Sequence, residues 1–328
     1  MPDDSVQRGT SRHNPALQSW FHVDWNSSHR AEAGKNERVL KMIYLNRLFV
    51  LFAFLLVVTA SASSAEIESR FAKFNDTRVH YLSRGKGDEA LVFVHGWTCN
   101  AEFWRPQMND FPGLRLIAVD LIGHGQSSKP HVTYTMEYFA RSIEAVLRDA
   151  KIKRAVLVGH SMGTPVIQRF YRLFPEKTAG LVMVDGGLQI FLPKEQMDQF
   201  VNSLRSNYQT AEPAFVNVLV GPIKDEKLRS EIRTAMLAAP DYVGISAMEA
   251  MADERSYGNA TIGVPVLAIL AKSPFWGPDT ETFLRSLVPN LDFRMWDGVS
   301  HFLMMERPQE FDHAVQEFLK KNELLKRY

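Results

Sequence analysis

Two residues stand where covalent chemistry is feasible. Ser161 sits in "AVLVGHSMG" (155–163), an apolar run that delivers Gly159-His160-Ser161-Met162-Gly163 into the helical stretch "MGTPVIQRFYRLF". Gly-x-Ser-x-Gly between a buried strand and a helix describes a nucleophile elbow, with the serine lifted to the apex of a tight turn. A serine hydroxyl is a weak nucleophile near neutral pH and needs a base. His301, in "GVSHFLMMERP", is the histidine that follows a strand end after the nucleophile. His313 falls within the last helical stretch and reads as structural. His160 lies inside the elbow and should face away from substrate, while His80, His124 and His131 precede the nucleophile and read as hydrogen-bonding residues of strand and turn.

Acyl chemistry also needs donors for a developing oxyanion. The backbone N–H of Met162, directly after the serine, is one candidate, and the N–H of Trp97, after the run "LVFVHG", is the second. His95-Gly96 is then a backbone-shaping pair, since no further ligands occur at metal-binding spacing. No cofactor is implied. Cys99 is the single cysteine, which excludes an intrachain disulfide and a cysteine-based metal site.

The elements that must position these residues show in the hydrophobic pattern. Apolar runs at 90–96, 114–121, 155–161, 180–186 and 264–271 suit parallel strands buried on both faces. Helical periodicity at 136–150 gathers Met136, Phe139, Ala140, Ile143, Val146 and Leu147 on one face, and 308–322 does the same with Phe311, Val315 and Phe318. Two short alternating runs around Asn75-Asp76 predict a hairpin ahead of a βαβαβαβ series. Residues 188–260 break the rhythm with helical stretches rich in Met and aromatics, among them Met197, Phe200, Met236, Met248 and Met251. An insertion there would cover the strand ends, leaving core segments at 66–187 and 261–328.

The 328 residues carry a net charge of +1, which offers no electrostatic attraction for nucleic acid, and a small-molecule substrate is the expected partner. Residues 1–41 are polar and aperiodic and read as a disordered or spurious extension before a natural start at Met42. Residues 42–65 present Arg47, an apolar core from Leu48 to Val58 and then small residues, the layout of a secretory signal peptide. That core is shorter than the ~20 residues of a comfortable membrane span. Secretion or export to a periplasm is the expectation, with no stable membrane insertion after cleavage; an uncleaved signal anchor is the alternative.

Taken together, His95-Gly96-Trp97, the "DLIGHGQS" turn from Asp120 to Ser127, Gly159 to Gly163 and "GVSHFLMMERP" around His301 resemble the α/β-hydrolase superfamily, of the kind with a helical cap. The resemblance spans nearly all of 76–320 and implies a mostly parallel, eight-stranded sheet with helices on both faces and a cap at 188–260. It also implies a serine hydrolase, and cleavage of a carboxylic ester with a small to medium apolar acyl or aromatic group through an acyl-enzyme is the reading preferred. Carbon–carbon bond or lactone hydrolysis by the same residues is the alternative, and a non-catalytic ligand-binding protein on this fold is a third reading. Relatives that open epoxides or remove halide use an aspartate nucleophile, against which Ser161 argues.

One departure stands out. The family's usual acid, which orients the histidine, would fall in "PVLAILAKSPFWGPD" (265–279) at Pro274. Asp185, ending the run "LVMVDGG" beside the nucleophile strand, is the preferred substitute, because a minority of relatives take the acid from that strand. Asp279, further along the same loop, is the alternative acid; its competing reading is the start of a helix. Phe275 and Trp276 are expected to wall the pocket entrance.

Overall fold

The computed structural model describes residues 66–325 and, before them, Met42, Tyr44 and Asn46. Apart from those three, the residues 42–65 read as a signal peptide, and the extension ahead of them, lie outside the described residues. Residues 66–325 form one compact unit. Eight strands form its sheet: β1 (Glu68–Phe74), β2 (Thr77–Arg84), β3 (Glu89–Val94), β4 (Arg115–Val119), β5 (Arg154–His160), β6 (Thr178–Val184), β7 (Val266–Ala271) and β8 (Leu291–Trp296). Their order across the sheet is β1-β2-β4-β3-β5-β6-β7-β8. β1 and β2 pair antiparallel, as do β2 and β4, and every later pairing is parallel. The eight-stranded, mostly parallel sheet expected from the sequence is therefore present.

Local chemistry explains each part. β1 and β2 meet at Phe74↔Thr77 across Asn75-Asp76, and Asn75 adopts φ 51°, the left-handed conformation such a tight turn demands. β5, β6 and β7 are buried along almost their whole length because helices cover both faces. Each Val, Leu or Ile side chain removed from water there contributes about 1.5–3 kcal/mol. Edge strands β1 and β8 alternate or thin out in burial, as edges do.

Helix α1 (Met136–Asp149) carries β4 to β5, and its N-terminus is capped by the Thr135 hydroxyl accepting from Tyr138 N–H. Helix α2 (Gly163–Leu173) carries β5 to β6. The crossover from β3 to β4 differs from the alternating pattern read in the sequence. It holds only two short 3-10 turns, Ala101–Trp104 and Gln107–Asn109, before β4 begins. Trp104 and Met108 are buried from these turns, so their side chains fill the layer a helix would otherwise occupy.

Between β6 and β7 come four helices: α3 (Lys194–Ser206), α4 (Tyr208–Val220), α5 (Glu226–Met236) and α6 (Asp241–Ala252). Helix α7 (Thr280–Leu287) joins β7 to β8, and α8 (Leu303–Glu306) and α9 (Pro308–Lys321) follow β8.

Helix α4 holds a buried acid, Glu212, whose Oε1 accepts from the Tyr208 hydroxyl at 2.8 Å. Burial raises its carboxyl, the Tyr208 hydrogen bond pulls it back, and nearby Asp241 raises it again, leaving it at about 7 from an ordinary 4.5. The folded state thus retains a proton that the unfolded chain loses. The stability this contributes is complete below pH 4.5 and is lost as pH rises to about 7. The loss is about 3 kcal/mol at most, since a tenfold change in proton affinity corresponds to about 1.4 kcal/mol. Thermal melting from pH 4 to 8 should show wild type weakening relative to Glu212→Gln; parallel curves would contradict this.

Candidate active site

Ser161 is the turn between β5 and α2, with φ 53°. An L-residue held there is strained by roughly 1–2 kcal/mol. Neighbours over-determine the strain: Ser161 N–H donates to Val184 O at 2.9 Å, and Ser161 O accepts from Thr164 N–H at 2.9 Å. A Cβ on Gly163 would run into Val94 O, and one on Gly159 into the backbone of Gly163. The two glycines therefore let α2 begin directly against β3 and β5, with its unpaired N–H groups beside the serine.

His301 lies in the turn after β8. Its Nδ1 is 2.6 Å from Asp185 Oδ2. A carboxylate oxygen accepts, so the proton of this bond sits on Nδ1 and Nε2 is left with its lone pair. Behind it, His160 Nε2–H donates to His301 O at 2.9 Å, and the two rings lie 4.6 Å apart. Burial, helped by His301, pushes the His160 imidazole well below its usual range, so this ring is neutral.

Asp185 directly follows β6, with φ 42°, and is buried. Its Oδ1 accepts from Ala271 N–H at 2.8 Å and from the Trp276 indole N–H at 2.8 Å. Its own N–H donates to Ile269 O at 2.9 Å. A Cβ on Gly186 would collide with Ser161 O and the Thr164 side chain, so only glycine allows β6 to end this close to the elbow. Asp279, the other acid weighed from the sequence, is exposed at the start of α7 and makes no side-chain cap hydrogen bond. The structure brings Asp185 and His301 together and leaves Asp279 at the surface.

The Trp97 loop is fixed from several sides. His95 Nδ1–H donates to Gly96 O at 2.8 Å while His95 Nε2 accepts from Leu121 N–H at 3.0 Å. Asp120, in the turn after β4, accepts from His80 Nδ1, Ala101 N–H and Gln126 N–H. Burial would raise its carboxyl, but these hydrogen bonds hold it lowered. Trp97 Nε1–H reaches Gly244 O in α6 at 2.8 Å. Among the described residues, neither the Trp97 nor the Met162 backbone N–H donates to another backbone carbonyl. Trp97 lines the same cavity as Ser161; Met162 is fully buried just behind it.

That cavity, of about 50 Å³, is bordered by Ser161, His301, Asp185, Trp97 and Trp276 together with Phe191, Phe215, Met236, Met248 and Met251 from the 188–260 segment. Phe275 and Trp276 both wall it, and both also border an adjacent outer cavity of about 540 Å³ next to α7. Cys99 borders the inner cavity, but burial raises its thiol, so it is not a thiolate nucleophile. Among the described residues no group of three or more His, Cys, Asp or Glu is placed to hold a metal ion.

A family model described as the alpha/beta hydrolase fold matches residues 89–220, the stretch that runs from β3 through the elbow into α4. The chain has the α/β-hydrolase fold. Its relatives include an AB hydrolase superfamily protein, YisY, of Bacillus subtilis, 28% identical over 70% of this chain and 90% of its own length. Another is a 2-hydroxy-6-oxononadienedioate/2-hydroxy-6-oxononatrienedioate hydrolase of Burkholderia vietnamiensis, 28% identical over 75% of this chain and 92% of its own. Among solved structures, an esterase from Exiguobacterium antarcticum superposes with a TM-score of 0.69 at 19% identity, covering 77% of this chain and all of its own. At that identity the likeness concerns the α/β-hydrolase fold alone.

Within this α/β-hydrolase sheet, sequence reasoning missed the indole of Trp276 as a partner of Asp185. It missed Phe191 and Phe215 as cavity walls as well. Nothing in a pattern of apolar residues distinguishes an indole that packs from one whose N–H meets a carboxylate 91 positions away.

Proposed function

We propose that the protein is a serine hydrolase that cleaves a carboxylic ester through an acyl-enzyme. The observation that carries this reading is the grouping of Ser161, His301 and Asp185 around one cavity, with His301 Nδ1 bonded to Asp185 at 2.6 Å. His301 Nε2 takes the proton of Ser161 Oγ as that oxygen attacks the ester carbonyl. The tetrahedral oxyanion is held by the backbone N–H groups of Trp97 and Met162. Collapse breaks the bond to the alcohol oxygen, which leaves with the proton from Nε2. Water then repeats the sequence on the acyl-enzyme, releasing the carboxylic acid and restoring the serine hydroxyl. The proton on His301 Nδ1 stays there throughout, and Asp185 orients the ring and stabilises it when charged.

The small apolar cavity favours a short acyl group. We expect kcat/KM for aryl esters to fall from acetate to hexanoate. Phe215, on α4, packs against Phe200 with tilted rings 4.6 Å apart and borders the cavity on that side. Phe215→Ala should therefore raise kcat/KM for the hexanoate about tenfold over wild type, the scale of a few methylene contacts. No change in the acetate-to-hexanoate ratio would contradict it. For the ester reading itself, labelling of Ser161 by a fluorophosphonate with no turnover of any short aryl ester is the contrary outcome.

Carbon–carbon bond hydrolysis is the second reading, favoured by the Burkholderia vietnamiensis relative. Turnover of a vinylogous 1,5-diketone at a higher kcat/KM than aryl acetate would select it. Export across a membrane, with cleavage near residue 63 or 66, is part of the proposal on the strength of the apolar run Leu48–Val58 and the small residues after it. N-terminal sequencing of the exported protein tests it.

A further inference from the structure

Asp185 carries the feature that goes furthest. A carboxylate has two equivalent oxygens and turns readily about its terminal bond, yet here the two are treated differently. Oδ2 receives only His301 Nδ1–H, at 2.6 Å, while Oδ1 receives two donors, Ala271 N–H and Trp276 Nε1–H, each at 2.8 Å. The first donor belongs to the β7 backbone. The second comes from the loop after β7, where the family's usual acid is replaced by Pro274.

We propose that Trp276 is a positioning residue for the acid: its indole N–H anchors Asp185 Oδ1 so that Oδ2 faces His301. This rests on the reading of Ser161, His301 and Asp185 as the reacting set. The loop is built to hold the indole there. Trp276 N–H donates to Ser273 O at 3.2 Å, closing a turn, and the indole ring lies so near Gly187 that an added Cβ would sit 3.2 Å from it. The loop after β7 in this way orients the histidine by gripping an acid at the end of the neighbouring strand.

The arrangement dictates an unusual pair of effects. In Asp185→Asn the two donors at the Oδ1 position select the amide oxygen, so the amide NH₂ points at His301 Nδ1. That nitrogen must then accept, its proton moves to Nε2, and Nε2 loses the lone pair Ser161 requires. In this background Trp276→Phe leaves Ala271 N–H in place, which still selects the amide oxygen, so the amide keeps its orientation and the indole has nothing left to set. The same substitution therefore harms the wild type and spares the Asp185→Asn variant.

The test measures kcat and KM for an aryl acetate in wild type, Trp276→Phe, Asp185→Asn and the double variant. Trp276→Phe should lower kcat about tenfold with KM within about twofold, as for loss of an interaction that orients a reacting group. In the Asp185→Asn background it should change kcat by less than about threefold. A loss in that background within about threefold of the loss in wild type, or no loss in wild type, overturns the proposal; a purely structural tryptophan would give the former. If Asp185→Asn alone leaves kcat intact, the reading of Asp185 as the acid fails, and Trp276 loses its role with it. Should Trp276→Phe not fold by circular dichroism, Trp276→Gln keeps a donor on a long side chain without the ring. It should hold kcat within about threefold of wild type and leave Asp185→Asn unimproved; a fall of kcat beyond that overturns the proposal.

Discussion

Asp185→Asn is expected to lower kcat for an aryl acetate by about 10³–10⁴-fold, while Asp279→Asn leaves it within about twofold. The asymmetry follows from placement. Asp185 is buried and accepts three hydrogen bonds, one of them from His301 at 2.6 Å. An amide in its place cannot accept on every side, and the imidazole is driven to the tautomer that cannot take a proton from serine. Asp279 is exposed at the start of α7 and bonds to no catalytic group. Steady-state kinetics on the two purified variants check this. Equal losses, or a loss confined to Asp279→Asn, would mean that the loop after β7 swings over the site during turnover and that Asp185 is structural.

The second large effect concerns Ser161. Ser161→Ala should reduce turnover by about 10⁴-fold or more, because the nucleophile is gone and only the oxyanion donors and binding remain. The fold should survive with an unchanged melting temperature, since alanine suffers the same penalty at φ 53° as serine. Ser161→Gly should be equally inactive yet more stable than the alanine variant by about 1 kcal/mol, because glycine adopts that conformation without a Cβ clash. Chemical denaturation of the two variants measures the difference. Equal stability would show that the elbow is unstrained.

The sheet and the elbow are readable in the sequence because they rest on strong, local signals. Runs such as 155–158 and 264–271 are apolar throughout, as strands covered on both faces are. The turn at Asn75-Asp76 and the elbow at Gly159 to Gly163 announce themselves through residues that alone satisfy their backbone geometry. The β3–β4 crossover was less legible. Its short 3-10 turns have no periodicity to read, and they stay in place through Trp104 and Met108, whose burial depends on distant strands.

The acid illustrates the limit more sharply. Spacing along the chain left two aspartates open, since both follow strand ends between serine and histidine. What separates them is lateral. β6 is hydrogen-bonded to both β5 and β7, so the end of β6 lies beside the elbow and beside Ala271. The loop holding Asp279 instead turns back on itself at Ser273 and spends its tryptophan on Asp185. A linear reading sees a loop without its acid; the folded chain has the loop bonded to the acid of another strand.

The most direct measurement is a rapid acid quench of the protein during turnover of an aryl acetate, followed by peptide mass spectrometry. An acetyl group on the peptide holding Ser161, absent in Ser161→Ala and accumulating in Asp185→Asn as deacylation slows, is the expected result. Steady hydrolysis with no acetyl adduct on Ser161, or with the adduct on another residue, would contradict the acyl-enzyme at its centre.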